Sequence, residues 1–256
     1  MIFKKKKFNN IFLTALLILI AFSSLLNIYD KREKIYKKII KSEVKESAKK
    51  YQINEHNHKI AKKILKGGFI LYFRHAEREK WLDVGMYDSY ELGNKIKRAE
   101  ETEFKKAVCL SDKGINQVKI MSEYVKLFDI PVSKVITSPS CRARQTAEYV
   151  FEGFDEVNNL FLHYGIYYEN KSAYSKLIKK ELLKIEEKED SNVIITAHGG
   201  VIEKSIFDEI LNNEKKFDLN EGGFFVIKKN KGKLILVHKF HNFDNFKRLL
   251  VKRPTN

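Results

Sequence analysis

Phe69-Ile70-Leu71-Tyr72-Phe73-Arg74-His75-Ala76-Glu77 is the stretch on which the fold turns. Its five apolar residues run without polar alternation over strand length, which suits a strand covered on both faces. The run ends directly on an arginine and a histidine. Gly67-Gly68 precedes it and closes off a Lys-rich region upstream.

Downstream, residues 78–107 are polar and irregular and read as an insertion over the sheet edge. Trp81, Tyr87 and Tyr90 in it could line a pocket or cover the core. Ser111 then opens a helix with Ile115, Val118, Met121, Val125 and Phe128 on one face, ended by Pro131. Residues 135–137 form a short strand leading into Ser138-Pro139-Ser140-Cys141-Arg142, and 142–151 read as a helix. A strand is expected at 159–163 and a helix from Ser172 to about residue 188. Val193-Ile194-Ile195-Thr196-Ala197 reads as another buried strand and delivers His198-Gly199-Gly200. Ile202, Ile206, Phe207 and Ile210 suggest a helix after it. Strands at 224–228 and 234–238 are joined by Asn230-Lys231-Gly232, a hairpin signal.

This alternation predicts an α/β fold: a three-layer α/β/α sandwich with a mostly parallel central sheet. Ligands of such sheets bind beyond the carboxyl ends of the strands. Three strand ends carry Arg74-His75, Arg142 and His198, so these four residues are expected to converge. Two arginines offer planar, bidentate donors suited to a phosphate dianion. A neutral histidine oriented through its other nitrogen is a nucleophile toward phosphorus. The arginines supply positive charge themselves, so neither a metal nor another cofactor is expected.

The chain carries a net charge of +16, but residues 1–66 hold 17 Lys/Arg against only 5 Asp/Glu. The excess therefore belongs to the N-terminal region, and a nucleic-acid partner, which would need a basic face on the folded domain, is not expected. Residues 1–10 are basic. Residues 11–29 are an apolar stretch about long enough to cross a bilayer. Two readings stand: an uncleaved signal anchor, favoured by Leu25, Leu26 and Ile28, and a cleaved signal peptide. Either places the catalytic part outside the cytoplasm, periplasmic or extracytoplasmic, and the first makes the membrane a partner. Residues 30–66 read as a Lys-rich juxtamembrane spacer, with His56 and His58 on its surface. The catalytic domain is placed at 67–256.

The strand-end motifs also carry a family resemblance. Phe69 to Glu77, Ser138-Pro139-Ser140-Cys141-Arg142-Ala143-Arg144-Gln145-Thr146-Ala147 and Thr196-Ala197-His198-Gly199-Gly200-Val201-Ile202 resemble the motifs of the histidine phosphatase (phosphoglycerate mutase-like) superfamily. Leu110-Ser111-Asp112-Lys113-Gly114 resembles the loop that opens its first long helix. The resemblance implies a phosphatase acting on a phosphorylated substrate, with His75 as the phosphorylated nucleophile. It implies that Arg74, Arg142 and His198 hold the phosphoryl group. The family's glutamate proton donor has no match at its usual strand. Glu169 is the first candidate for that role, with Glu77 and Asp83 as alternatives. The fold so implied puts Cys109 and Cys141 near the active-site edge, where a disulfide would pin the Arg142 loop. A mutase-type phosphotransferase and a non-catalytic phosphate-binding protein are the competing readings.

Overall fold

The apolar run that decides the fold becomes strand β1 (Ile70–Arg74), and it lies near the middle of the sheet because both of its faces are covered. The structure is a computed structural model that describes residues 31, 34, 55–80, 88, 108–162, 170–211 and 217–251. The chain divides into two units, Met1–Gln52 with Pro254–Asn256, and Ile53–Arg253. Of the first, only Lys31 and Lys34 are described; both are helical and exposed. The apolar segment 11–29 lies outside the described residues. Among the described residues no helix is long and apolar enough to cross a membrane.

In the second unit the elements follow as α1 (Glu55–Ile64), β1, α2 (Asp112–Leu127), β2 (Val132–Thr137), α3 (Cys141–Phe151), β3 (Glu156–Val157), α4 (Lys171–Lys184) and β4 (Asn192–Ala197). Then come β5 (Glu209–Ile210), β6 (Phe224–Asn230), β7 (Lys233–Phe240) and α5 (Phe243–Val251). The strands form one mixed sheet in the order β3-β2-β4-β1-β6-β7-β5. The β3-β2-β4-β1 half is parallel, β6 runs antiparallel to both β1 and β7, and β5 lies parallel to β7.

Side chains alternate across the sheet, so each strand feeds two cores. Ile70, Tyr72, Ile195, Phe225 and Leu236 face α4, whose Tyr174, Ile178 and Leu182 complete that cluster. Phe73 and Phe224 point the other way, where Phe73 meets Phe151 of α3 and Phe224 meets Phe246 of α5. Helices thus cover both faces.

Several local readings change. Residues 159–161 form a 3-10 turn, and the strand of this region is the two-residue β3 just before it. Asn158 caps that turn through the Leu160 amide, which diverts the chain out of the sheet. Asn170, not Ser172, caps α4. The expected helix after His198 is a single 3-10 turn at Lys204–Ile206 followed by β5. Its apolar residues fit the helical period, but Ile206 is buried and β5 pairs with the edge of β7, so sheet pairing takes the segment. Two helices lie beyond the elements expected. Phe243, Phe246 and Leu249 of α5 are buried. Within the stretch read as spacer, α1 buries Ile60, Ala61 and Ile64, and His58 Nδ1 lies 2.9 Å from the Leu249 carbonyl oxygen of α5.

Strand register sets the site. Arg74 pairs with Ala197 and Thr137 pairs with Thr196, so His75, Ser138 and His198 leave the sheet side by side. The His75 amide donates to the Ala197 carbonyl at 2.9 Å, and the Ser138 amide to the Thr196 carbonyl at 2.9 Å.

Candidate active site

His75 is buried, and its Nδ1 lies 2.7 Å from the carbonyl oxygen of Ala76. A carbonyl only accepts, so Nδ1 carries the proton and the lone pair is left on Nε2. Burial, then the neighbouring Arg142, and then Arg74 and Arg78 hold the imidazole well below the usual histidine range. The ring is therefore neutral near pH 7 and ready to act as a nucleophile. Its loop is fastened from two sides. The Ala76 amide donates to Thr146 Oγ1 at 3.0 Å, and that hydroxyl donates to the Arg142 carbonyl at 2.8 Å. The Glu77 carbonyl accepts from the Ser111 amide at 3.1 Å, and Ser111 Oγ accepts from the Gly114 amide as the cap of α2. A β-carbon on Gly114 would stand 1.9 Å from the Glu77 carbonyl oxygen, so the first turn of α2 approaches the His75 loop as only glycine allows.

His198 sits with its ring centroid 5.3 Å from that of His75. Its Nδ1 lies 3.3 Å from an Arg142 terminal nitrogen, and its Nε2 lies 3.0 Å from Ser138 Oγ. A guanidinium only donates, so Nδ1 accepts and Nε2 holds the hydrogen given to Ser138. The Tyr72 hydroxyl donates to the His198 carbonyl at 2.8 Å. Burial pushes that phenol well above its ordinary range, which keeps it a neutral donor.

Arg142 emerges from the first turn of α3, and its guanidinium is fully buried. Its two terminal nitrogens meet the two carboxylate oxygens of Asp88 at 2.7 and 2.5 Å, a parallel fork of charge-assisted bonds. One of them also lies 3.4 Å from the Val108 carbonyl oxygen. Next to Val108, Cys109 is joined by a disulfide to Cys141, which immediately precedes Arg142. The disulfide expected from the sequence thus ties the Arg142 loop to the segment just before α2.

Arg74, half-buried, leaves β1 and donates to the Leu219 carbonyl at 2.6 Å, with Glu221 Oε1 at 3.4 Å. Arg78 lies within the electrostatic reach of Arg74, Arg142, Asp88 and Glu221; burial and then Arg142 lower its ordinary value. Asp88, Arg78 and Glu221 belong to none of the strand-end motifs. Arg78 follows the Arg74-His75-Ala76-Glu77 motif directly, so its position was a signal; Asp88 and Glu221 carry none in local sequence.

Of the residues expected at the site, Arg74, His75, Arg142 and His198 come together. Glu77 is half exposed and its carboxylate lies 4.0 Å from Lys113 Nζ. Glu169 and Asp83 lie outside the described residues, as do Trp81, Tyr87 and Tyr90.

The sequence profile described as histidine phosphatase superfamily (branch 1) matches residues 70–160 of the chain. The span includes Arg74, His75 and Arg142, while His198 joins them through the fold. No curated protein matches the chain. Among solved structures, the protein histidine phosphatase SixA complexed with tungstate aligns with a TM-score of 0.45 and 13% identity, over 67% of this chain and 96% of that one. Phosphoserine phosphatase from Entamoeba histolytica, in complex with 3-phosphoglyceric acid, aligns with a TM-score of 0.42 and 16% identity, over 67% of this chain and 96% of that one.

Proposed function

We propose that the protein hydrolyses a phosphate monoester or related phospho-compound through a phosphohistidine at His75, without a metal. The observation that carries this reading is the His75 ring held by the Ala76 carbonyl, with the lone pair left on Nε2 and Arg74, Arg142 and His198 nearby. In the first step His75 Nε2 forms a bond to phosphorus as the ester P–O bond breaks. In the second, water attacks the same phosphorus, the P–N bond breaks, and phosphate leaves. Arg74 and Arg142 set positive charge against the phosphoryl oxygens in both steps, and His198 turns to them the Nε2 hydrogen that Ser138 otherwise accepts, which is where most of the rate of such transfers originates.

The apolar segment 11–29 then serves as a membrane anchor or export signal, with the catalytic unit outside the cytoplasm. The Cys109–Cys141 disulfide supports that placement, because such bonds persist in oxidising compartments.

The test is phosphate release by the full chain from a panel of phosphate compounds, with His75→Ala alongside. Activity that vanishes in the variant, together with an acid-labile, base-stable phosphoryl group trapped on the wild type alone, is the expected result. Equal release by both proteins would remove His75 from the chemistry.

A further inference from the structure

We infer that Glu221 is the acid that protonates the leaving group. The inference rests on the phosphohistidine reading above and supplies the proton that reading leaves unassigned.

The loop carrying Glu221 is built against the nucleophile motif. The Gly222 amide donates to the His75 carbonyl at 3.0 Å, and the Arg74 amide donates to the Gly223 carbonyl at 2.9 Å. Gln117 of α2 clamps both partners at once: its Oε1 accepts from the Glu77 amide at 2.9 Å, and its Nε2 donates to the Glu221 carbonyl at 2.9 Å. Gly222 has a φ of +75, and a β-carbon there would stand 2.4 Å from Gln117 Nε2, so this turn is specified by its own sequence. Glu221 is therefore held in place relative to His75 by backbone bonds and does not depend on the residues outside the described set.

Its carboxyl group is suited to carry a proton. Oε1 lies 3.4 Å from Arg74, a long contact, and among the described residues Oε2 has no hydrogen-bond partner. Arg74, Arg78, Glu77 and Lys80 are the charged groups that face it. Burial raises it above the ordinary carboxylate range, and the nearby Glu77 adds to this, against the opposing pull of Arg74, Arg78 and Lys80. The other acids at the site are occupied differently. Both oxygens of Asp88 accept from the Arg142 guanidinium, so it has no proton to give. Glu77 is 43% exposed and its carboxylate lies 4.0 Å from Lys113 Nζ.

His75 Nε2 bonds to phosphorus, the ester P–O bond breaks, and its electron pair takes the proton from Glu221. The resulting carboxylate is stabilised by Arg74 and Arg78. In the second step that carboxylate takes a proton from the attacking water as the P–N bond breaks.

The deciding experiment compares Glu221→Gln with wild type on an alkyl phosphate and on 2,4-dinitrophenyl phosphate, whose leaving group needs no proton. Glu221→Gln is expected to lower kcat on the alkyl ester by about 10²–10⁴-fold and on the dinitrophenyl ester by no more than about threefold. The fall in alkyl-ester activity with rising pH should also disappear in this variant. Glu221→Asp, which keeps a carboxyl group, should regain part of the alkyl-ester rate. An equal loss on both substrates would make Glu221 a positioning residue and overturn the inference; so would no loss on either, or a leaving-group-dependent loss in Glu169→Gln instead. Absence of His75-dependent activity on the dinitrophenyl ester would overturn the phosphatase reading itself, and that outcome is visible separately.

Discussion

The two arginines of the site are each faced by a carboxylate, but in different media. Arg142 and Asp88 are 1% and 2% exposed, and they meet through two short parallel bonds. Arg74 and Glu221 are 31% and 18% exposed, and they meet through one contact of 3.4 Å. A desolvated pair cannot lose one member without stranding a charge in low dielectric, whereas water screens the partly exposed pair. The buried edge is thus fixed architecture, and the wetter edge has a carboxyl group free to change protonation. That difference assigns the two acids different parts: Asp88 orients an arginine, and Glu221 moves a proton.

The buried pair offers the largest effect. Arg142→Met should lower the unfolding free energy by about 3–5 kcal/mol, because the Asp88 carboxylate is left buried and unpaired. Pairing it with Asp88→Leu should regain most of that loss while leaving the enzyme inactive. Urea denaturation of the single and double variants measures both; a single-variant loss under about 1 kcal/mol would mean that water reaches the pair.

The disulfide beside Arg142 comes next. It closes a loop with a sequence separation of 32. Replacing Cys109 and Cys141 together by alanine should cost about 2–4 kcal/mol. If the bond also holds the Arg142 loop in register, phosphate affinity should fall with it, which product-inhibition measurements would show. Unchanged inhibition would confine the disulfide to stability.

The smallest effect belongs to the wetter edge. Glu221→Gln should change the unfolding free energy by less than about 1 kcal/mol while altering catalysis as described. A large stability loss there would erase the contrast between the two edges.

The central strands were readable because local composition decided them. Residues 69–73 are apolar throughout and 193–197 are apolar but for Thr196, and nothing nearby competes with sheet formation. Helix α2 was readable from its cap at Ser111 and its buried Val118 and Met121. Reading failed where pairing at a distance overrode local period. Residues 204–210 look helical, but the edge of β7 takes Glu209 and Ile210 as β5. Helix α5 carries Phe243, Phe246 and Leu249 at helical spacing, yet in the sequence it is a short segment at the end of the domain, and only its packing under Phe224 and Phe240 makes it part of the core.

Sequence alone determined that Arg74, His75, Arg142 and His198 stand at strand ends or just beyond them, since hydrophobic runs and chain order fix where strands stop. Tertiary structure alone decided which carboxylates face those arginines. Asp88 reaches Arg142 across 54 residues and Glu221 reaches Arg74 across 147, so no local pattern records either pairing. The same packing decided their roles, because the protonation of a carboxyl group follows its burial and the charges around it, and these exist only once the chain has folded.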